Sequence, residues 1–416
     1  MEWMVLGFFY LLVVFANIAH MSYNYKILLR SERILSTGGE EDRRINIRRS
    51  FIVISPCKIA SMRVEELEDF MRTLRRILDL DLISRVIIVV DSERDEVMLR
   101  MFTDSSDRRL EILRASEDAC RKCSGKNRAI ITALEKISGV SSRDLLLFMD
   151  CDADFIRFDR CVESLEKVMK ENKNAIATGY RWYYMDSMCS TAFNLVSTLY
   201  FEALLSERTR IVWGGLMCGE ADLFYRYDVS RELSREIADD ATIRRVFTRN
   251  KAGIIFTPYC IGFTRAPCRS RWVDDFVLWS ARQLLMIRIY TPRGFFYVLI
   301  GYAIIVVLMI SPLIALLLGV SSKWISLLIF LSLSLYFIGV LRGFLLLRFM
   351  SRIWGSDKLY NRARYMILYL MISGVRAFLA LYLLIETLRM RRFSWRGSEY
   401  CVVREEDSLK ALPCSL

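Results

Sequence analysis

The sequence predicts an α/β domain, a mostly parallel sheet with helices on both faces, held to a membrane by apolar helices near both ends of the chain. Three observations carry that expectation. Short β-branched runs alternate with segments of helical period. Long apolar runs lie outside that alternation. One strand runs straight into acids, in LLLFMDCDADF at 145–155.

The alternation can be followed element by element. FIVIS at 51–55 and VIIVV at 86–90 lack helical period and read as buried strands. Between them Val64, Leu67, Phe70, Met71, Leu74, Ile77 and Leu78 recur at helix spacing. A strand–helix–strand crossover implies parallel strands. A strand at 110–113, a helix from Lys126 to Ile137, a strand at 145–149, a helix at 159–171, a strand at 175–179 and a helix at 192–206 continue the series. Ligands of such sheets gather outside the carboxyl ends of the strands, where Asp91 and Asp150 stand.

The chain has 416 residues, 54% hydrophobic and 25% charged, which suggests a charged globular part joined to an apolar one. Its net charge of +12 includes Arg342, Arg348, Arg352, Lys358, Arg362, Arg364, Arg389, Arg391, Arg392 and Arg396, all beside apolar runs. That placement favours lipid headgroups and argues against nucleic acid as a partner. The runs at 3–19, 295–319, 324–347 and 365–388 are each long enough to cross a bilayer. The first lacks a basic start and is followed by Lys26, Arg30 and Arg33. It reads as a retained anchor, which makes this a multi-pass membrane protein with a cytoplasmic domain. The expected layout is an anchor at 1–25, a soluble domain at 47–268, an amphipathic interfacial helix at 269–293, three hydrophobic segments within 294–392 and a polar, mobile tail at 393–416. A polar linker is expected at 36–46. Arg389, Arg391, Arg392 and Arg396 favour a cytoplasmic tail as well, which three full spans do not deliver; a shallow or re-entrant segment within 295–347 would reconcile the two.

Eleven cysteines include one CxxC, Cys120 and Cys123, with no second pair at zinc spacing. Reduced thiols are expected in a cytoplasmic domain. His20 is the sole histidine and lies beside the first apolar run, so histidine-based catalysis is excluded.

The acids Asp150, Asp152 and Asp154 suit a hard divalent cation that bridges carboxylates to nucleotide phosphates. The plain alternative is a solvated aspartate-rich turn. Other motifs bear on the choice. Pro56 and Lys58 end the first strand and Asp91 the second. Gly125-Lys126-Asn127 opens a helix, where amides and an ammonium can meet an anion. Asp239-Asp240 precedes another helix, and WSARQLLMIRIY, with Trp279, Arg282, Gln283 and Arg288, precedes the membrane run.

In this order the motifs resemble membrane-bound family 2 glycosyltransferases with a GT-A fold, most of all the ceramide-glucosyltransferase-like branch, over about residues 50–293. The resemblance implies an inverting transfer of a sugar from a nucleotide donor, a UDP-sugar above all, to a lipid acceptor, with Mg²⁺ or Mn²⁺. It implies nucleotide-sugar contacts at Pro56, Lys58, Asp91 and Asp150, beside the anion-binding Lys126. Asp150 and Asp152 match the metal acids, with Asp152 and Asp154 the alternative register. Asp240 matches the catalytic base, with Asp239 and Glu220 next in line. GGLMCGEADLFYRYDV resembles the acceptor loop, and Ser394-Trp395-Arg396-Gly397 a tail motif of the ceramide-type enzymes. The Q/R-x-x-R-W motif of processive synthases is not matched: Trp279-Ser280-Ala281-Arg282-Gln283 stands there instead. That leaves Trp279, Arg282 and Gln283 as diphosphate or acceptor contacts, or Trp279 and Arg288 as headgroup anchors. The alternatives are a polyisoprenyl-phosphate sugar transferase, a short-polysaccharide synthase and an inactive scaffold of the same fold.

Overall fold

The computed structural model describes the chain apart from residues 1, 37–48, 104–106, 138–139, 142, 206–210, 269–270, 356–358, 360–362, 396, 406–407 and 415–416, and apart from the side chains of 2–7, 30–36, 200–205, 405 and 408. The linker expected at 36–46 falls almost wholly outside these residues. The chain forms two compact units. A sheet unit comprises Ser31–Trp182, Ala203–Arg265 and Arg391–Leu416; a helical unit comprises Met1–Arg30, Tyr183–Glu202 and Ala266–Met390.

The sheet unit is a mixed α/β fold. Its main sheet holds β1 (Phe51–Cys57), β2 (Ile83–Val90), β3 (Leu110–Arg114), β4 (Leu145–Met149), β5 (Ala175–Tyr183), β6 (Leu216–Glu220) and β7 (Gly253–Thr264), in the order β3-β2-β1-β4-β6-β5-β7. The first four strands are parallel, and β6 enters antiparallel between β4 and β5. Helices α2 (Val64–Leu78), α3 (Glu93–Phe102), α4 (Gly125–Lys136), α5 (Phe158–Glu171), α7 (Ala221–Arg226), α8 (Val229–Leu233) and α9 (Asp239–Arg249) complete the unit.

The uninterrupted apolar runs follow from burial on both faces. Phe51 and Val53 of β1, with Leu145, Leu147 and Met149 of β4, enter one core, where α2 and α5 supply Phe70, Leu74 and Leu165. Ile52 and Ile54, with Leu146 and Phe148, enter the other, against Ile130 and Leu134 of α4 and Ile243 and Phe247 of α9. Local caps start the helices. The Arg63 amide donates to Glu66 Oε2 at 2.9 Å before α2, and Ser124 Oγ accepts from the Asn127 amide at 3.2 Å to open α4.

The helical unit contains α1 (Glu2–Ser36), α6 (Met188–Leu205), α10 (Trp272–Tyr290), α11 (Pro292–Leu317), α12 (Ser322–Trp354) and α13 (Ala363–Arg389). Among the described residues α11, α12 and α13 are long and apolar enough to cross a membrane. The first apolar run lies within α1, whose opening side chains lie outside the described residues. Tyr10 of α1 donates to the Leu308 carbonyl of α11 at 2.6 Å. A Cβ at Gly339 or Gly374 would collide with Ser373 or Tyr336 respectively, so α12 and α13 approach at a distance that requires glycine.

Two expectations are corrected. The tail is folded: β8 (Arg392–Trp395), β9 (Ser398–Glu405) and β10 (Ser408–Pro413) form an antiparallel sheet in the order β10-β9-β8. Phe393 stacks on Tyr400 with centroids 5.3 Å apart, and the Cys401–Cys414 disulfide ties β9 to the segment after β10. The thiols are not plainly reduced either. Cys120–Cys123, Cys161–Cys260, Cys189–Cys268 and Cys401–Cys414 are joined, because the fold brings each pair together. The Cys161–Cys260 bond fastens α5 to β7 inside the core.

Alkylation of the unfolded, unreduced chain should therefore label three of the eleven cysteines, as read by intact mass. Eleven labels would contradict the pairing.

Candidate active site

The site is built at the carboxyl ends of the parallel strands. Lys58 follows β1, Asp91 follows β2 and Asp150 follows β4. Because β6 runs antiparallel, with Leu216 opposite Met149, the loop before it reaches the same end. The Asp150 amide accordingly donates to the Gly215 carbonyl at 3.1 Å.

Lys126, in the first turn of α4, is the hub. Its Nζ lies 2.7 Å from Asp150 Oδ1 and 2.8 Å from Asp239 Oδ2, and donates to the Gly214 carbonyl at 2.9 Å. Three acceptors match three ammonium protons. Asn127 secures the arrangement by donating from Nδ2 to the carbonyls of Leu233 and Glu236, at 3.2 and 2.6 Å, which fixes the segment leading into α9. Burial alone would lower the Lys126 ammonium, but Asp150 and Asp239 more than offset it and hold it above the ordinary lysine value. The packing leaves no room for a side chain at position 214: a Cβ there would lie 2.7 Å from Asp239 Oδ2 and 3.0 Å from Lys126 Nζ.

Asp240, beside this hub, accepts from the Gly214 amide at 3.3 Å and from the Ala241 amide at 2.7 Å. Burial and the charge of Asp239 push it up to about 7, against the pull of Lys126 and the two amides. The Asp239 carboxylate is committed to Lys126, and the cap position of α9 is Ala238. Glu220 ends β6 opposite Leu145, the start of β4, and pairs with Arg49 at 2.9 Å, so it stands at the other end of the strands.

The three acids of the opening motif part company. Asp150 and Asp152 stay together, bridged by Arg181 Nη2 at 2.9 and 3.4 Å. Asp154 is drawn away. Its backbone pairs with Phe263 in both directions, and its carboxylate accepts from Thr73 at 3.2 Å and pairs with Arg76. Among the described residues no three Asp, Glu, His or Cys side chains converge as a ligand set. Two carboxylates at a strand end still suit Mg²⁺ or Mn²⁺, which commonly take one or two carboxylates and complete their shell from phosphates and water.

Asp91 forms the other end of the site. Lys58 Nζ lies 3.9 Å from its carboxylate, and a Cβ at Gly125 would be 3.5 Å from it. Pro56 is buried within β1. The tail reaches this end too: Gly397, at φ +82°, turns β8 into β9, and a Cβ on it would lie 3.9 Å from Lys58 Nζ. Arg396 lies outside the described residues.

Trp279, Arg282 and Gln283 are on α10, in the helical unit. Trp279 packs into a core there, its ring centroid 5.1 Å from Phe193 and 5.7 Å from Tyr183. Arg282 and Gln283 are partly buried. Sequence reasoning missed Arg181 and Trp213, whose ring centroid is 5.6 Å from the guanidinium. The available signal was a lone arginine inside an apolar strand.

No family model and no curated protein matches the chain. Solved structures do. A mannosyltransferase from Pyrobaculum calidifontis in complex with GDP-Man and Mn²⁺ is 14% identical, with 91% of this chain and 97% of that chain covered and a TM-score of 0.46. Glucosyl-3-phosphoglycerate synthase from Mycobacterium tuberculosis, with Mg²⁺ and UDP, is 15% identical, with 63% and 82% covered and a TM-score of 0.35. A 4-diphosphocytidyl-2C-methyl-D-erythritol synthase from Anaerococcus prevotii is 12% identical, with 56% and 96% covered and a TM-score of 0.35.

Lys126→Met should leave Asp150 and Asp239 buried without their shared cation. The expected cost is about 3–5 kcal/mol, read as a lower unfolding midpoint of the purified protein in detergent. An unchanged midpoint would show that the ammonium is not their counterion.

Proposed function

We propose that the protein transfers a sugar from a nucleotide-sugar donor to a membrane lipid, with inversion at the anomeric carbon. The observation that carries this reading is Asp240: an acid held near neutrality, beside a cationic cluster at the carboxyl ends of a parallel sheet. A base poised near the working pH is what proton abstraction from an alcohol needs. The order of motifs supports the same reading, as do the three apolar helices, which favour an acceptor that stays in the bilayer.

The donor's diphosphate would lie at the Asp150–Asp152 end, drawn there by the nearby positive charge of Lys126, and its nucleoside against Lys58 and Asp91. A divalent cation held by Asp150 and Asp152 would neutralise charge on the departing diphosphate. Asp240 takes the proton of the acceptor hydroxyl. The acceptor oxygen bonds to the anomeric carbon as the bond to the diphosphate breaks, and the diphosphate keeps that electron pair. Gly214 fixes Asp240 through its amide and Lys126 through its carbonyl, so base and buried cation keep a constant relation. Arg282 and Gln283 are assigned to the acceptor side. The donor is assigned as a UDP-sugar and the site to the cytoplasmic face.

Asp240→Asn keeps the shape but cannot accept a proton. Its kcat should fall about 10²–10⁴-fold with donor affinity retained, measured as nucleoside diphosphate release in the presence of lipid acceptor. Near-normal turnover would place the base elsewhere. The base must be ionised to act, so kcat/KM should rise with pH and level off above about 7. Asp239→Asn removes the neighbouring charge that raises Asp240 and frees Lys126 to lower it further, so the acidic limb should move to lower pH. A limb that stays in place or moves upward would contradict this electrostatic account.

A further inference from the structure

Arg181 rises from the carboxyl end of β5, its side chain only 17% exposed. Its Nη2 meets Asp150 Oδ2 at 2.9 Å and Asp152 Oδ1 at 3.4 Å, while Asp150 Oδ1 carries Lys126. Both oxygens of Asp150 and one of Asp152 thus already face a positive charge. These are the oxygens that the proposed function assigns to a divalent cation. A cation and a guanidinium repel at such range and compete for the same lone pairs. Lys126 has little freedom to yield, because three acceptors around a buried ammonium fix it. Arg181 is a long side chain with a second surface to rest on, the Trp213 ring 5.6 Å from its guanidinium. Its planar fork suits two phosphate oxygens as well as it suits two carboxylates.

We propose that Arg181 is an exchangeable counterion. It neutralises Asp150 and Asp152 in the donor-free protein and transfers to the donor's diphosphate when a divalent cation takes the two acids. This inference rests on the reading of the site as a nucleotide-sugar site. It makes the site resist the metal alone and accept metal and diphosphate together. By linkage, each then strengthens the other's binding by the same factor. A purely structural arginine would stabilise the fold without coupling the two ligands.

The test uses the full-length protein in detergent or nanodiscs, with Mn²⁺ alone, and then with UDP and with GDP at saturating Mn²⁺. Affinities are read by calorimetry or by the Mn²⁺ electron paramagnetic resonance signal. In Arg181→Gln, Mn²⁺ alone should bind about tenfold tighter and the nucleoside diphosphate about tenfold weaker. The mutual enhancement should largely vanish. Arg181→Lys keeps the charge and loses the fork, so it should lie between wild type and Arg181→Gln on both measures, and it carries the test if the glutamine variant does not fold. Affinities within about twofold of wild type, or both moving in the same direction, would overturn the inference. A wild type that binds neither UDP nor GDP would contradict the donor site itself, and the inference would fall with it; normal nucleotide binding with unaltered coupling in both variants would overturn the inference alone.

Discussion

One buried ammonium holds the site together. Lys126 comes from α4, Asp150 from the end of β4, Asp239 from α9 and Gly214 from the loop before β6. Without the cation, two carboxylates would face each other out of water, an arrangement whose desolvation and repulsion must be met by a proton or a metal. With it, the end of the apolar strand can carry charge at all. Asp240 inherits the consequence. Asp240 is buried close to a like charge while Lys126 is largely spent on Asp150 and Asp239, so its carboxyl rises toward neutrality. The same pairing that stabilises the fold thus leaves the proposed base without a full counterion.

Much of this was legible in the sequence, for local reasons. LLLFM at 145–149 gave β4 to the residue, because a strand buried on both faces shows an unbroken apolar run. Gly125-Lys126-Asn127, read as a helix opening, marked the start of α4 and hence the place of Lys126. Asp91 and Asp150 follow the carboxyl ends of β2 and β4, where the strand pattern put them. What stayed hidden depends on pairing between distant segments. Arg181 meets Asp150 only because β5 runs past 179 and β6 inserts antiparallel beside β4. Asp154 leaves its neighbours because its backbone pairs with Phe263, over a hundred residues on. No local period records either contact.

The tail shows the same limit from the other side. Its polar composition suggested mobility, yet Phe393, Tyr400 and the Cys401–Cys414 bond give a small sheet enough to hold it. Small folds with little core commonly depend on such staples. The turn at Gly397 then comes to rest near Lys58, whose ammonium faces Asp91. The other disulfides act at longer range. Cys161–Cys260 and Cys189–Cys268 span 99 and 79 residues, separations at which a cross-link restricts the unfolded chain strongly.

The account stands on the claim that these strand-end acids serve sugar transfer to a lipid. Membranes containing the protein can be incubated with isotope-labelled UDP-hexoses and GDP-mannose, and the extracted lipids examined by mass spectrometry. The account predicts a lipid heavier by one labelled hexose in membranes with the wild-type protein and its near absence with Asp240→Asn. Label that never reaches a lipid from any of these donors, in membranes where the folded protein is abundant, would contradict it.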